Sequence, residues 1–198
     1  MVAVLLAFLL LTDWTATVKP AKASVVRLEM QRGEGRGLCS AVVINAEAGY
    51  AVTMAHCTGT DPKTLSLTAS GRHAELIRWN EILDLAVIKF DVKGETQIAL
   101  AKATPEEGKE IAIIGFAYGS RQLHTQYGHV SLPLDDESQR LMLDATVIFG
   151  DSGGMAINQS GELVGMTSAI KTAGGSLAVM LPVESVRDFA KAYLPKVK

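Results

Sequence analysis

Twelve short runs rich in Val, Ile and Leu, each closed by Gly, Asn, Asp or a similar turn former, fill the chain between Ser24 and Pro182. Their lengths predict strands at 25–29, 37–44, 50–54, 65–68, 73–80 and 85–90. A second set falls at 111–116, 123–131, 141–145, 154–158, 163–168 and 177–181. Strands at this spacing, with turn residues between them, specify an all-β sandwich or barrel. Asn45-Ala-Glu-Ala-Gly49 and Asn158-Gln-Ser-Gly161 read as hairpin loops. The polar stretch Asp91–Pro105 reads as the connection between two lobes. Only the tail is helical: Pro182 stands where a helix starts, and Val183, Val186, Phe189, Ala190 and Tyr193 recur at helical spacing.

The 198 residues carry 19 Lys+Arg against 21 Asp+Glu, a net charge of −2, so there is no basic footprint for nucleic acid. The length suits one domain or one two-lobed domain, and no run of 18 uncharged apolar residues points to a polytopic membrane protein. Two cysteines are too few for a disulfide-dense miniprotein or a four-cysteine zinc site. At the front, residues 2–11 form an unbroken apolar decapeptide, and Ala21-Lys22-Ala23 offers a small-residue cleavage site. No Lys or Arg precedes the apolar run. Residues 1–23 therefore read as a signal peptide or N-terminal anchor, with a buried core helix as the alternative. A cut after Ala23 removes Lys19, Lys22 and Asp13 and leaves a net charge of −3. On this reading Trp14 belongs to the leader and Trp79 packs inside the first lobe. The seven methionines read as core fillers.

Gly150-Asp151-Ser152-Gly153-Gly154 carries the chemistry. It fits the Gly-x-Ser-x-Gly elbow of α/β-hydrolases, but that fold needs a His after the Ser, and none follows His129. Subtilisin order needs an Asp before the His, and only Asp13 precedes His56. The order His56, Asp84, Ser152 is available, with separations of 28 and 68 residues. His56 ends the segment Tyr50-Ala-Val-Thr-Met-Ala-His-Cys57, and Asp84 opens the apolar strand Leu83-Asp-Leu-Ala-Val-Ile-Lys-Phe90. A Ser hydroxyl needs an adjacent base to become a nucleophile, and a neutral His supplies one near pH 7.

These segments resemble the trypsin-like (chymotrypsin-fold) serine proteases, and in detail the bacterial Deg/HtrA branch. Asp144-Ala145, Gly161-Glu-Leu-Val-Gly165 and Leu181-Pro-Val183 carry the branch resemblance. It spans about residues 25–190 and leaves no length for a PDZ domain. It implies two six-stranded antiparallel β-barrels with a C-terminal helix: lobe one about 24–95, lobe two about 96–182, helix about 183–194. It implies a serine endopeptidase working through an acyl-enzyme. His56 is the base, Asp84 orients it, Ser152 attacks, and the Gly150 and Ser152 N–H groups form the oxyanion hole. A non-catalytic protein-binding module of the same fold is the alternative.

The resemblance further implies a Cys39–Cys57 disulfide, with two free buried thiols as the other reading; a bridge implies an oxidising compartment. Thr146 would floor the specificity pocket. Thr167, Ser168, Ala169 and Ile170 would line the channel and pair with the peptide as an added strand. Ile148, Ala178 and Met180 would complete the wall, for a small or medium apolar P1 residue. Asp151 faces a difficulty: zymogen-activated relatives pair this Asp with a new N-terminus, no such segment exists here, and Deg relatives often have Asn. It should find an Arg, a Lys or backbone donors. His73, His124 and His129 read as surface or loop residues without metal-ligand spacing. The expected partner is a polypeptide substrate, with no cofactor, metal or nucleic acid. No membrane contact is expected in the mature form unless the leader is retained. Secreted or periplasmic placement is expected ahead of membrane-anchored or cytoplasmic, with oligomeric state open.

Overall fold

The computed structural model describes residues 13–32, 34–59, 65–133, 140–172 and 175–196. The apolar decapeptide 2–11 lies outside them. Six strands, β1 (Val25–Arg32), β2 (Gly35–Asn45), β3 (Tyr50–Met54), β4 (Leu65–Ala69), β5 (Arg72–Asn80) and β6 (Leu85–Phe90), close a barrel in the order β1-β2-β3-β6-β5-β4. Six more, β7 (Glu110–Gly115), β8 (His124–Pro133), β9 (Leu141–Asp144), β10 (Met155–Ile157), β11 (Leu163–Thr172) and β12 (Gly175–Pro182), close a second in the order β10-β11-β12-β9-β8-β7. Every pairing is antiparallel within these ladders, and closure gives each strand a neighbour on both sides for at least part of its length.

All twelve strands expected from the sequence form, with ends shifted by a few residues. The hairpin turns at 45–49 and 158–161 hold Gly49 and Gly161 at φ +78° and +76°. A Cβ on Gly49 would also sit 2.4 Å from the Phe90 carbonyl oxygen, so only glycine fits there. The tail helix α2 (Val183–Ala190) buries Val183, Val186, Phe189 and Ala190, the spacing that the sequence announced. Its Glu184 accepts from the Thr104 N–H at 2.8 Å, which ties the helix to the inter-lobe connection.

One expectation needs correction. Trp79 does not pack inside the first lobe; it is 39% exposed on β5, past a register shift between Leu76 and Arg78 that breaks the strand's simple alternation. A helix α1 (Thr15–Ala21) stands at the end of the front segment, where a buried helix was the alternative reading; it packs Val18 and Ala21 into the main core, and Trp14 is 5% exposed with its ring 5.8 Å from that of Tyr127. The Thr17 hydroxyl donates to the Gln159 carbonyl, and the Ala23 carbonyl accepts from the Thr96 N–H.

The main core runs from the first barrel across the lobe interface to Met155, Met166, Leu181 and α2, while Ile111, Ile113, Val130, Leu143 and Met180 fill the second barrel. The lobes are thus welded along one face, and their loops meet on the other.

Candidate active site

His56 and Asp84 come from lobe one. His56 sits in a short 3-10 turn, Ala55–Cys57, that follows directly on β3. Asp84 precedes β6, the partner of β3, so the ladder itself brings the two together. Asp84 adopts φ +57°, a left-handed conformation that Asp tolerates better than most residues. Its carbonyl accepts from the Ala55 N–H at 3.0 Å and its Oδ1 from the His56 N–H at 2.9 Å. The His56 Nδ1 lies 2.8 Å from Asp84 Oδ2 and 3.1 Å from Oδ1. That contact puts the ring proton on Nδ1 and leaves Nε2 as the lone-pair nitrogen facing the cleft.

The serine turn comes from lobe two, and its carbonyls are all spoken for. Phe149 O accepts from the Tyr118 N–H at 2.6 Å, Gly150 O from the Ser40 hydroxyl at 2.9 Å, and Asp151 O from the Gly154 N–H and the Thr167 hydroxyl at 2.8 and 3.0 Å. Ser152 O accepts from the Ser40 N–H at 2.9 Å. Ser40 is held in turn: its hydroxyl accepts from the Phe116 N–H and its carbonyl from the Thr53 hydroxyl. Among the described residues the Gly150 and Ser152 N–H groups have no protein acceptor. Gly150 at φ +100° makes this possible, and a Cβ there would lie 2.1 Å from the Phe116 carbonyl oxygen.

His56, Asp84, Ser152, Gly150, Thr146, Ile148 and Ser168 share one cleft of about 860 Å³ between the lobes. The Ser152 hydroxyl and His56 ring face it without a hydrogen bond between them, a contact that in free enzymes often tightens only with substrate. Cys39 and Cys57 are bridged, closing a loop of 18 residues and pinning the His56 turn to β2. Their sulfurs and a His56 ring nitrogen fall within 4.8 Å of one another, but a disulfide offers no thiolate to a metal.

The specificity wall is only partly as expected. Thr146, Ile148 and Ser168 line the cleft. Thr167 does not: it is fully buried, and its hydroxyl braces the Asp151 carbonyl. Ala178 and Met180 point into the core of the second barrel instead, because the inward face of β12 alternates through them. The side chains of Ala169 and Ile170 lie outside the described residues. Strand β10 pairs with β11 only up to Met166, so β11 beyond Thr167 turns an unpaired edge toward the cleft.

Three cleft features escaped the sequence reading. Arg140 brings its guanidinium to 3.7 Å from Asp84 Oδ2. Tyr118 and Phe149 stand 79% and 71% exposed at the rim. The partner of Asp151 is neither Arg nor Lys: the carboxylate is fully buried, Oδ2 accepts from the Ile148 N–H at 3.1 Å, and Oδ1 lies 3.5 Å from His124 Nδ1. Burial pushes the Asp151 carboxyl above the usual carboxylate range, against the pull of the Ile148 N–H and of His124. His124 is half-buried on β8 rather than a free surface residue; His73 and His129 are exposed, with His129 3.5 Å from Asp144. The signal was present as an unpaired Asp in a buried turn, but no spacing rule joins positions 124 and 151.

Comparison with known proteins agrees with this geometry. The profile of the trypsin-like peptidase domain matches residues 39–166. The periplasmic pH-dependent serine endoprotease DegQ of Escherichia coli is 30% identical over 167 residues, covering 78% of this chain and 37% of that protein. A probable periplasmic serine protease of the do/HhoA type from Haemophilus influenzae is 32% identical over 170 residues, covering 78% and 36%. A crystal structure of a serine endoprotease from Yersinia pestis superposes with a TM-score of 0.77 at 25% identity, covering 91% of this chain and 66% of that one. The chain thus spans little more than a third of the length of these curated relatives. Among the described residues no helix is long and apolar enough to cross a membrane.

Proposed function

Because the chain belongs to the trypsin-like peptidase domain family, we propose that it is a serine endopeptidase that hydrolyses polypeptides through an acyl-enzyme. The observation that carries the reading is the convergence of a carboxylate-held His56 and a turn with two unpartnered N–H groups around Ser152.

Each step follows from these groups. His56 Nε2 takes the Ser152 proton as the hydroxyl attacks the scissile carbonyl, and Asp84 stabilises the imidazolium that forms. The oxyanion develops against the Gly150 and Ser152 N–H groups, each such donor contributing on the order of 3 kcal/mol of barrier reduction. His56 returns the proton to the leaving amine, and water then repeats the sequence on the acyl-enzyme. The peptide runs along the free edge of β11 from Ser168 onward, pairing with its main chain. The neutral Thr146 and apolar Ile148 favour a small or medium apolar P1 residue over Lys or Arg.

The packing of Trp14, Val18 and Ala21 in the core favours a cut before Trp14 over the cut after Ala23. Any cleavage of the apolar front therefore falls before Trp14, in a protein exported to an oxidising compartment in keeping with its disulfide. Intact-mass measurement of protein from the cell envelope reads the N-terminus directly; a chain beginning at Ser24 overturns this placement. Cleavage profiling on a peptide library tests the activity and the P1 residue together. Expected are cuts after Val, Ala or Leu that vanish in Ser152→Ala. Folded wild type that cuts nothing returns the chain to the role of a binding module.

A further inference from the structure

Asp151 is fully buried, and its Oδ1 has no hydrogen-bond partner. A Cβ on the facing Gly115 of β7 would come within 2.8 Å of that oxygen, so the wall closes around it. The residues packed on the carboxylate are uncharged on every side but one. Strand β7 contributes Gly115, β2 Ser40 and β11 Thr167. The turn itself contributes the Ile148 N–H. Tyr118 points to solvent, and Arg121 is exposed ahead of β8. Among the described residues His124 alone faces Asp151 with a titratable side chain. Its Nδ1 lies 3.5 Å from Oδ1, and the Gln126 amide N–H donates to its other ring nitrogen at 3.0 Å, an arrangement that puts the ring proton on Nδ1.

We propose that His124 is a positioning residue for this site: with Gln126 donating to its Nε2, its Nδ1–H is the side-chain partner turned to the buried Asp151 Oδ1, and so it holds the Gly150–Ser152 turn with both N–H groups toward the cleft. The proposal rests on the peptidase reading only in giving those N–H groups their task. The turn depends on Asp151 through four bonds: Oδ2 accepts from the Ile148 N–H, the Asp151 N–H donates to the Ile148 carbonyl, and the Asp151 carbonyl accepts from the Thr167 hydroxyl and the Gly154 N–H. A carboxylate left buried without that partner is costly and relaxes by moving or by taking up a proton. Either change loosens the turn.

The pH sense follows. Burial raises the Asp151 carboxyl, so the folded state binds this proton more readily than the unfolded chain. Stability is then lost as pH rises from the ordinary carboxylate range through the raised value. Above it the ionised Asp151 depends on its partner His124.

The test uses the full chain as wild type, His124→Gln, Asp151→Asn and the double variant. Peptide cleavage and melting temperature are measured from pH 5 to 9. His124→Gln is expected to lower kcat by roughly 10- to 100-fold with KM changed less than about threefold, because the turn's donors act on the transition state. Asp151→Asn in the same chain is expected to recover most of that loss, since no charge then needs a partner. An equal loss in both backgrounds overturns the proposal. Should His124→Gln not fold, wild type against Asp151→Asn decides. The melting temperature of wild type is expected to fall relative to Asp151→Asn as pH rises, and a constant difference overturns the proposal. The melting comparison needs no activity, so a wild type that folds but cuts nothing sinks the peptidase reading without touching this one.

Discussion

Two His–Asp pairs flank Ser152, and they are built on opposite principles. His56 and Asp84 meet at 2.8 Å at the mouth of the cleft, with His56 half exposed, and the contact leaves one ring nitrogen free for work. His124 and Asp151 stand 3.5 Å apart behind the turn, the carboxylate sealed from solvent and one of its oxygens without a hydrogen bond. The first pair is close and wet enough to exchange protons with a substrate. The second is dry, so its charge matters through the backbone that it anchors. On the proposed reading the same two residue types do chemistry where water and substrate reach them and hold shape where neither does.

The largest contrast comes from removing each carboxylate's charge in turn. Asp84→Asn permits the wrong His56 tautomer and is expected to lower kcat by about 10⁴-fold with the fold intact. Asp151→Asn is expected to cost less than about tenfold, since an amide fills the same space and needs no counter-charge. Comparable losses from both would erase the distinction between the pairs. Next comes the bridge beside His56. Replacing Cys39 and Cys57 together by Ser frees an 18-residue loop and is expected to cost roughly 3 kcal/mol in urea unfolding. The smallest effect is expected from Thr167→Val, which removes the hydroxyl holding the Asp151 carbonyl: about 1 kcal/mol of stability and a modest fall in kcat.

The barrels were legible because a strand that buries one face writes its period into the sequence, as the short apolar runs that became β3 and β6 do at residues 50–54 and 85–90. Trp79 was misread because composition marks a strand without saying which face a large ring takes. A helix at the front stood only as the alternative because the apolar run and Ala21-Lys22-Ala23 resemble a processing signal, while α1 is flanked by a contact that no local pattern shows, Trp14 on Tyr127 across the chain. His56, Asp84 and Ser152 were readable because each lies in a local motif. Ser40 and Arg140 were not, because each acts through a contact between the two barrels, and Thr53 and His124 were not, because each meets its partner only once its own barrel has closed. The burial of Asp151 announced a need for a partner, and only the fold could say which.

The central claim is that Ser152 is a nucleophile activated by the exposed pair and served by the turn that the buried pair holds. Intact-protein mass spectrometry after treatment with a fluorophosphonate tests it most directly. A single adduct mapping to Ser152 in wild type, absent from Ser152→Ala and formed far more slowly in Asp84→Asn, is the predicted result. Folded wild type that takes no adduct, or takes it on another residue, contradicts the account.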